Sequence, residues 1–300
     1  MGWRDDDRVL EVLDEGDLLY VAVSSRRGPH VTPTVFDRDR GRLVFVTPRR
    51  SVKARVIARR RRVGALVHFE DRAVMMLGRA RIVDPLTARG VFSGNDLLDL
   101  PLAAAGFLAR NRRQVTDTMR DHQAPTLVLS RVAVSIEITR VALLQGHRVL
   151  AHWGRWPDVD RLLPGTPNRT DPPDVSGAPP ALRSFLAGRD RPGVLGWQTP
   201  AGPVALPAWW RRETGEAEVS AAALVLAGAG PEAPACLTVD RSRYRSRHQQ
   251  GVLLAGTGHV RVEDGVARVA LAQERLTWWD GEDSGTKVVA GTGDGQARTC

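Results

Sequence analysis

The chain has 300 residues but only two cysteines, Cys236 and Cys300, and no CxxC or HExxH spacing. That excludes a disulfide framework and a recognisable zinc site. No apolar run reaches the roughly 18 residues that a membrane-spanning helix needs. The first residues, MGWRDDDRVLEVL, are charged and lack the apolar core of a signal peptide. Gly2 is not followed by a convincing myristoylation site. A cytoplasmic location is therefore expected, with no membrane partner. Aromatic residues are scarce at 5%, although eight of them are Trp. Arg far outnumbers Lys. No Ser/His/Asp or Cys/His arrangement stands out, as expected if a cofactor carries the chemistry. His68, His122 and His259 are scattered, and no pair has metal-ligand spacing, so no metal is expected.

The hydrophobic fraction of 42% is enough for real cores in one large domain or two ordinary ones. The formal charge is +9. Such a balance suits nucleic acid, an anionic membrane face or a phosphorylated ligand, and does not choose among them.

Residues 8 to 15 read as a short helix and 18 to 25 (LLYVAVSS) as a strand. RRGP is a turn, with Gly28 free to take positive φ. HVTPTVFD, the turn DRDRG and RLVFVT then make a hairpin or meander. SVKARVIARRRR (51–62) reads as a helix with Ser51 as N-cap. VGALVHFED and RAVMMLGRARIVD are strands. Residues 86 to 121 look mostly helical, and strand pattern returns in TLVLSRVAVSIEITRVALLQG. Short antiparallel strands, with a helix between the third and fourth, suggest a small barrel.

The order then repeats. GPHVTPTVF (28–36) and GPVALPAWW (202–210) place Gly, Pro and a second Pro identically, 174 positions apart. AVMMLGRARIV around Gly78 matches GVLLAGTGHVRV around Gly256 at nearly the same offset, which points to an internal duplication. The expected fold is mainly β with short helices: two fused split β-barrels, the first carrying a helical insertion. The expected domains are a ligand-binding barrel at 1–150, a Pro/Gly-rich linker at 151–181, a second barrel at 182–282 and a flexible tail at 283–300.

The segment VTPRRSVKARVIARRRR (46–62) gathers donors of several kinds: the Thr47 and Ser51 hydroxyls, Arg49, Arg50 and Lys53. Together they make a credible phosphate cradle. A capped, solvated surface helix is an equal reading. The four-Arg run at 59–62 reads as wet surface.

Four stretches in order, GPHVTPTVF, LVFVT, SVK and MMLGRARIV, resemble the pyridoxamine-phosphate-oxidase-like FMN-binding split barrels. The resemblance covers residues 10 to 145 well and 185 to 281 more weakly. It implies a six-stranded barrel that normally dimerises and holds flavin at the dimer interface. The phosphate would lie on Thr47, Ser51 and Lys53. The strand His30, Val31, Thr32, Pro33 and Thr34 would run along the ring and bond its polar edge through the backbone, with Val46 packing the cofactor. His30, Val35, Val52 and Ala73 depart from the residues of the oxidases proper, so vitamin B6 chemistry is not expected. The implied activity is an oxidoreductase with hydride transfer at flavin N5 of FMN, acting on a small molecule. The deazaflavin coenzyme F-420 is an alternative cofactor, and a non-catalytic flavin- or haem-binding protein the alternative function.

Where the first copy has TPRRSVKARV, the second has SAAALVLAGAG and keeps no cation for a phosphate. The chain is thus expected to be a pseudo-dimer with one intact site, leaving a further homo-oligomer open. Trp209 and Trp210 replace Val35 and Phe36. One Trp could wall the ligand pocket, with Trp209 the candidate, or both could plug the second barrel's core. AHWGRWP (151–157) could form a lid through Trp153 and Arg155 over a substrate, or pack across the domain junction. SRYRSRH (242–248) is basic with one aromatic and reads as solvated loop. Nucleic acid is not expected as a partner.

Overall fold

The computed structural model describes residues 2–39, 41–83, 130–157, 172–241, 249–281 and 283–289. The expected insertion at 86–121, His122, residues 158–171 of the linker and the 242–248 loop lie outside them.

The chain is mainly β and forms two sheets. After helix α1 (Asp7–Glu15), capped by the Asp6 carboxylate, the first sheet contains β1 (Leu19–Ser25), β2 (Gly28–Thr34), β3 (Phe36–Asp39), β4 (Arg42–Pro48), β5 (Arg62–Phe69), β6 (Arg72–Val83), β7 (Arg131–Gln145) and β8 (Arg148–Trp153). Helix α2 (Val52–Ile57) lies between β4 and β5. It is half the expected length: Arg59 and Arg60 turn back onto the Val56 carbonyl, and Arg62 already pairs with Arg79. Strand order is β2-β1-β5-β6-β7-β4-β3, with β8 on β7.

Helix α3 (Pro180–Gly188) leads to the second sheet: β9 (Arg191–Thr199), β10 (Gly202–Trp210), β11 (Ala217–Ser220), β12 (Glu232–Asp240), β13 (Gln250–Glu263), β14 (Val266–Asp280) and β15 (Asp283–Val288), with helix α4 (Ala221–Ala227) after β11. Pairing of β11 with both β10 and β14 closes six strands into a barrel. Two expectations need correction. Residues 283–288, expected to be flexible tail, pair with β14, and Lys287 binds the Asp174 carboxylate at 2.8 Å. Residues 148–153, expected to be the end of the first domain and the start of the linker, are a strand.

The repeat is visible in the ladders. The β6–β7 register shifts between Leu77 and Gly78, and the β13–β14 register between Ala255 and Gly256. A Cβ on Gly256 would overlap the Ala272 carbonyl oxygen, so the bulge requires glycine there. Gly28 and Gly202 both hold positive φ, 98° and 132°, in matching turns.

One core fills the first barrel with Leu19, Val21, Phe45, Met76 and Ile136. A second is continuous from the interior of the second barrel to the face of the first, and includes Tyr20, Ala22, Val31, Leu66 and Met75 beside Leu195, Trp197 and Leu237. Strand alternation separates these two faces of β1. The halves also share hydrogen bonds: Ser24 Oγ to Gln198 Oε1 at 2.7 Å and Tyr20 Oη to Asp240 Oδ1 at 3.0 Å.

Trp210 plugs the second core, 4% exposed, and its buried Nε1 has no partner among the described residues. Trp210→Phe should therefore cost under about 1 kcal/mol, because no hydrogen bond is lost. Trp210→Ala should cost about 3–5 kcal/mol through the cavity it leaves. Urea unfolding of the two variants measures both; equal losses would mean that Nε1 is bonded after all.

Candidate ligand site at the seam of the first barrel

Barrel two is closed by the pairs Ala208–Val219, Trp209–Glu218 and Trp210–Ala217. Phe36–Phe45 matches the last of these. The first two have no counterpart, because the strand breaks at Val35 between β2 and β3 and no described ladder joins β2 to β4. The first barrel is therefore open where Thr34 faces Thr47. Leu43, Phe45 and Thr47 point to its interior, and His30, Thr32 and Thr34 share the face of their β1 partners Val23, Val21 and Leu19.

Polar groups collect at this seam. Thr47 is buried, and its Oγ1 lies 3.0 Å from Ser51 Oγ. Ser51 Oγ also accepts from the Ala54 amide at 3.1 Å, which caps α2. Lys53, 8% exposed, donates from Nζ to the Pro33 carbonyl at 3.3 Å and lies 5.7 Å from the Phe45 ring centre. Among the described residues no carboxylate pairs with it. Burial pulls its pKa down to about 7. The chain has one other lysine, Lys287, and that one is paired. His30 is held neutral, its pKa lowered to about 4 by burial first and then by the charges of Lys53 and Arg275.

The edge of β2 is furnished by the second half. Pro29 and Pro33 have no N–H to offer along it. The Val31 carbonyl accepts from Thr238 Oγ1 at 2.7 Å, and the Cys236 thiol lies in hydrogen-bonding reach of the Val31 backbone. Burial pushes that thiol up to about 12, so it is chemically inert. The backbone bonds expected between β2 and a ring edge thus meet a strand already engaged at Val31.

Of the residues predicted from sequence, Thr47 and Ser51 bond each other, Lys53 reaches the Pro33 carbonyl and acts on the charge of His30, and Thr32 and Thr34 share the strand face of His30. Val31 faces the other half, where its methyl packs against Gly196. Val46 lies on the opposite face of β4 from Thr47, half-buried. Trp153 packs on the first barrel's core, Arg155 is exposed, and Trp209 is 42% exposed on the strand face opposite Trp210. No described contact brings these three to the cradle. The lid and wall expectations fail for one reason: β8 pairs with β7, and the alternation of β10 turns Trp210 rather than Trp209 inward.

Sequence reading missed Thr238 and Arg275. Arg275 stands opposite Ala255, just past the second bulge, where Arg140 stands opposite Leu77 past the first. Extending the repeat through the bulges would have found it.

The matching cradle of the second half is closed. Ser220 caps α4 as Ser51 caps α2, but Ala222 stands where Lys53 does. Ser220 Oγ donates to the His147 carbonyl at 2.6 Å, so the β7–β8 turn of the first half covers it.

No protein-family profile and no curated protein matches this sequence. Many solved structures are similar over a little under half of the chain, three of them as follows. A general stress protein 26 of Bacillus anthracis is 15% identical, over 46% of this chain and 92% of that one, with a TM-score of 0.31. A pyridoxamine 5'-phosphate oxidase-related, FMN-binding protein of Nostoc punctiforme is 15% identical, over 48% and 84%, with a TM-score of 0.36. A haem-binding protein of Mycobacterium smegmatis is 13% identical, over 48% and 55%, with a TM-score of 0.34.

Proposed function

We propose that this chain is a flavin-dependent oxidoreductase that holds FMN at the seam of the first barrel and acts on a small molecule. The observation that carries this reading is Lys53, a buried cation with no described carboxylate partner, beside two hydroxyls. A buried unpaired ammonium is costly, and a phosphate monoester dianion supplies the missing charge. The residues present fit that group: Lys53 Nζ keeps unused donors, and the Thr47 and Ser51 hydroxyls bond each other at the strand end and helix start that lead to it.

When bound, FMN supplies hydride chemistry at ring N5. The protein's own residues would hold and orient it. Lys53, Thr47 and Ser51 would take the phosphate. The face formed by His30, Thr32 and Thr34 would flank the ring, with His30 offering a neutral imidazole. Thr238 would keep β2 in place by holding the Val31 carbonyl, so the second half acts as a built-in partner. Coenzyme F-420 also carries a phosphate and fits the same cradle. A binding protein without turnover, for flavin or haem, is the second reading; it is favoured by His30 being held neutral beside Lys53, which leaves no imidazolium there at neutral pH.

The visible spectrum of the purified protein tests the proposal. Flavin bands, or their appearance on adding FMN, are expected at one equivalent per chain. Two equivalents would contradict the closed second cradle. A Soret band would favour haem, and a colourless protein that ignores FMN would sink the flavin reading.

A further inference from the structure

Arginine is concentrated at one end of the first barrel. Arg59, Arg60, Arg61, Arg62 and Arg79 are all exposed, and none has a carboxylate within ion-pair distance among the described residues. Two of them, Arg62 and Arg79, are directly paired across β5 and β6, with side chains on the same face. Like charges placed opposite each other in a ladder oppose folding. Glu137 stands opposite Arg79 on β7 and offsets part of that repulsion, but among the described residues it makes no ion pair with Arg79. The β1–β2 turn adds Arg26 and Arg27, both exposed. The Val23–Val63 pair sets this turn beside Arg62. The turn of the second half reaches the same place, with Gly202 packed over the Arg62 side chain.

We propose that this end of the first barrel binds the phosphate backbone of duplex nucleic acid without sequence preference. Guanidinium groups match phosphate oxygens in a bidentate fork, which suits arginine rather than lysine. Among the described residues the patch has no exposed aromatic side chain; the exposed large apolar residues described are Trp209, Val262 and Val288, none of them here. A single-stranded ligand would want a stacking ring, and a membrane would want an apolar anchor, so a duplex is the occupant that fits. The arginine run follows the C-terminal end of α2, whereas Ser51 and Lys53 lie at its N-terminal end, and the proposal does not depend on flavin binding. Read along the sequence, 59–62 is only a wet helical face; what changes the reading is the cross-strand partner Arg79 and the turn arginines beside it.

The test is fluorescence anisotropy of the full chain with a labelled DNA duplex of about 20 base pairs over a series of salt concentrations. Binding should weaken steeply with salt, with a log–log slope of about −3 to −5 if four or five arginines each neutralise a phosphate. Arg62→Ala/Arg79→Ala should lower affinity at least tenfold at low salt and flatten the slope by about 2, with no fall in melting temperature because a repulsive pair is removed. A control with the same charge loss elsewhere, Arg148→Ala/Arg183→Ala, should bind nearly as the parent does. Absence of duplex binding at low salt overturns the proposal, as does equal weakening in both double variants. Retention on phosphatidylserine vesicles without duplex binding overturns it in favour of a membrane.

Discussion

Lys53→Met should weaken FMN binding by on the order of 100-fold, because truncating a buried charge partner costs about 3 kcal/mol. The same substitution should stabilise the ligand-free protein. Burial lowers the Lys53 pKa from 10.5 to about 7, so the fold without ligand carries the full penalty of a buried ammonium below pH 7. Between pH 7 and 10.5 the unfolded chain holds a proton that the folded chain has released. Stability must therefore rise with pH across that window. A methionine of similar length removes both the penalty and this pH dependence, and a gain on the order of 2–4 kcal/mol at neutral pH follows from the size of the shift. Ligand binding has the opposite pH dependence. A phosphate dianion restores the charged form, so a proton is taken up above pH 7 and Kd should rise about tenfold per pH unit. Isothermal titration at several pH values, with urea unfolding of the free protein, reads both trends. If Lys53→Met binds FMN as the parent does, the cradle is misplaced. If it is also less stable, the ammonium has a partner after all.

Gly64→Ala should disrupt the join between the halves. A Cβ at Gly64 would lie 2.5 Å from the Pro203 carbonyl oxygen, 2.9 Å from Val204 Cα and 3.1 Å from the Ala205 amide nitrogen. All three are backbone atoms of β10, so no side-chain rotation relieves them. The strand must move, at about 3 kcal/mol or more. β10 lies in the core shared by the halves, so the displacement should also loosen the Thr238–Val31 and Ser24–Gln198 contacts and weaken ligand binding. Gly146→Ala is the comparison: its φ is 54°, but nothing lies within 4 Å of a new Cβ, so about 1 kcal/mol of backbone strain is all that is expected. Equal denaturation midpoints for the two variants would contradict the described packing of β5 on β10.

Much of the fold was legible along the chain because its signals are local. A continuous apolar run marks β1, alternation marks β2 and β4, and glycines fix the turns at 28 and 202 and the bulges at 78 and 256. Those four glycines, with the two prolines of each β2-type strand, expose the duplication at offsets of 174 (202 − 28) and 178 (256 − 78) residues without any tertiary information. The cradle residues Thr47, Ser51 and Lys53 were legible for the same reason, since they occupy one strand end and the helix that follows it. The roles of Trp153, Arg155 and Trp209 were not. Composition makes a Trp or an Arg a good wall or lid, but strand pairing decides which way it points. β8 takes Trp153 onto the first core, and β10 buries Trp210 in preference to its neighbour.

The sequence by itself determined that there are two barrels, and that the first alone keeps a cation beside its hydroxyls. Only the tertiary structure decided what that cation means. Its charge state depends on burial beneath Phe45 and Pro33, and its lack of a carboxylate among the described residues depends on the strands that surround it. The closing of the second cradle by the His147 carbonyl, and the furnishing of β2 by Thr238, Cys236 and Arg275, join residues far apart in sequence. Such contacts arise when two apolar sheet faces pack into one continuous core, and no local pattern of residues encodes which side chains meet there.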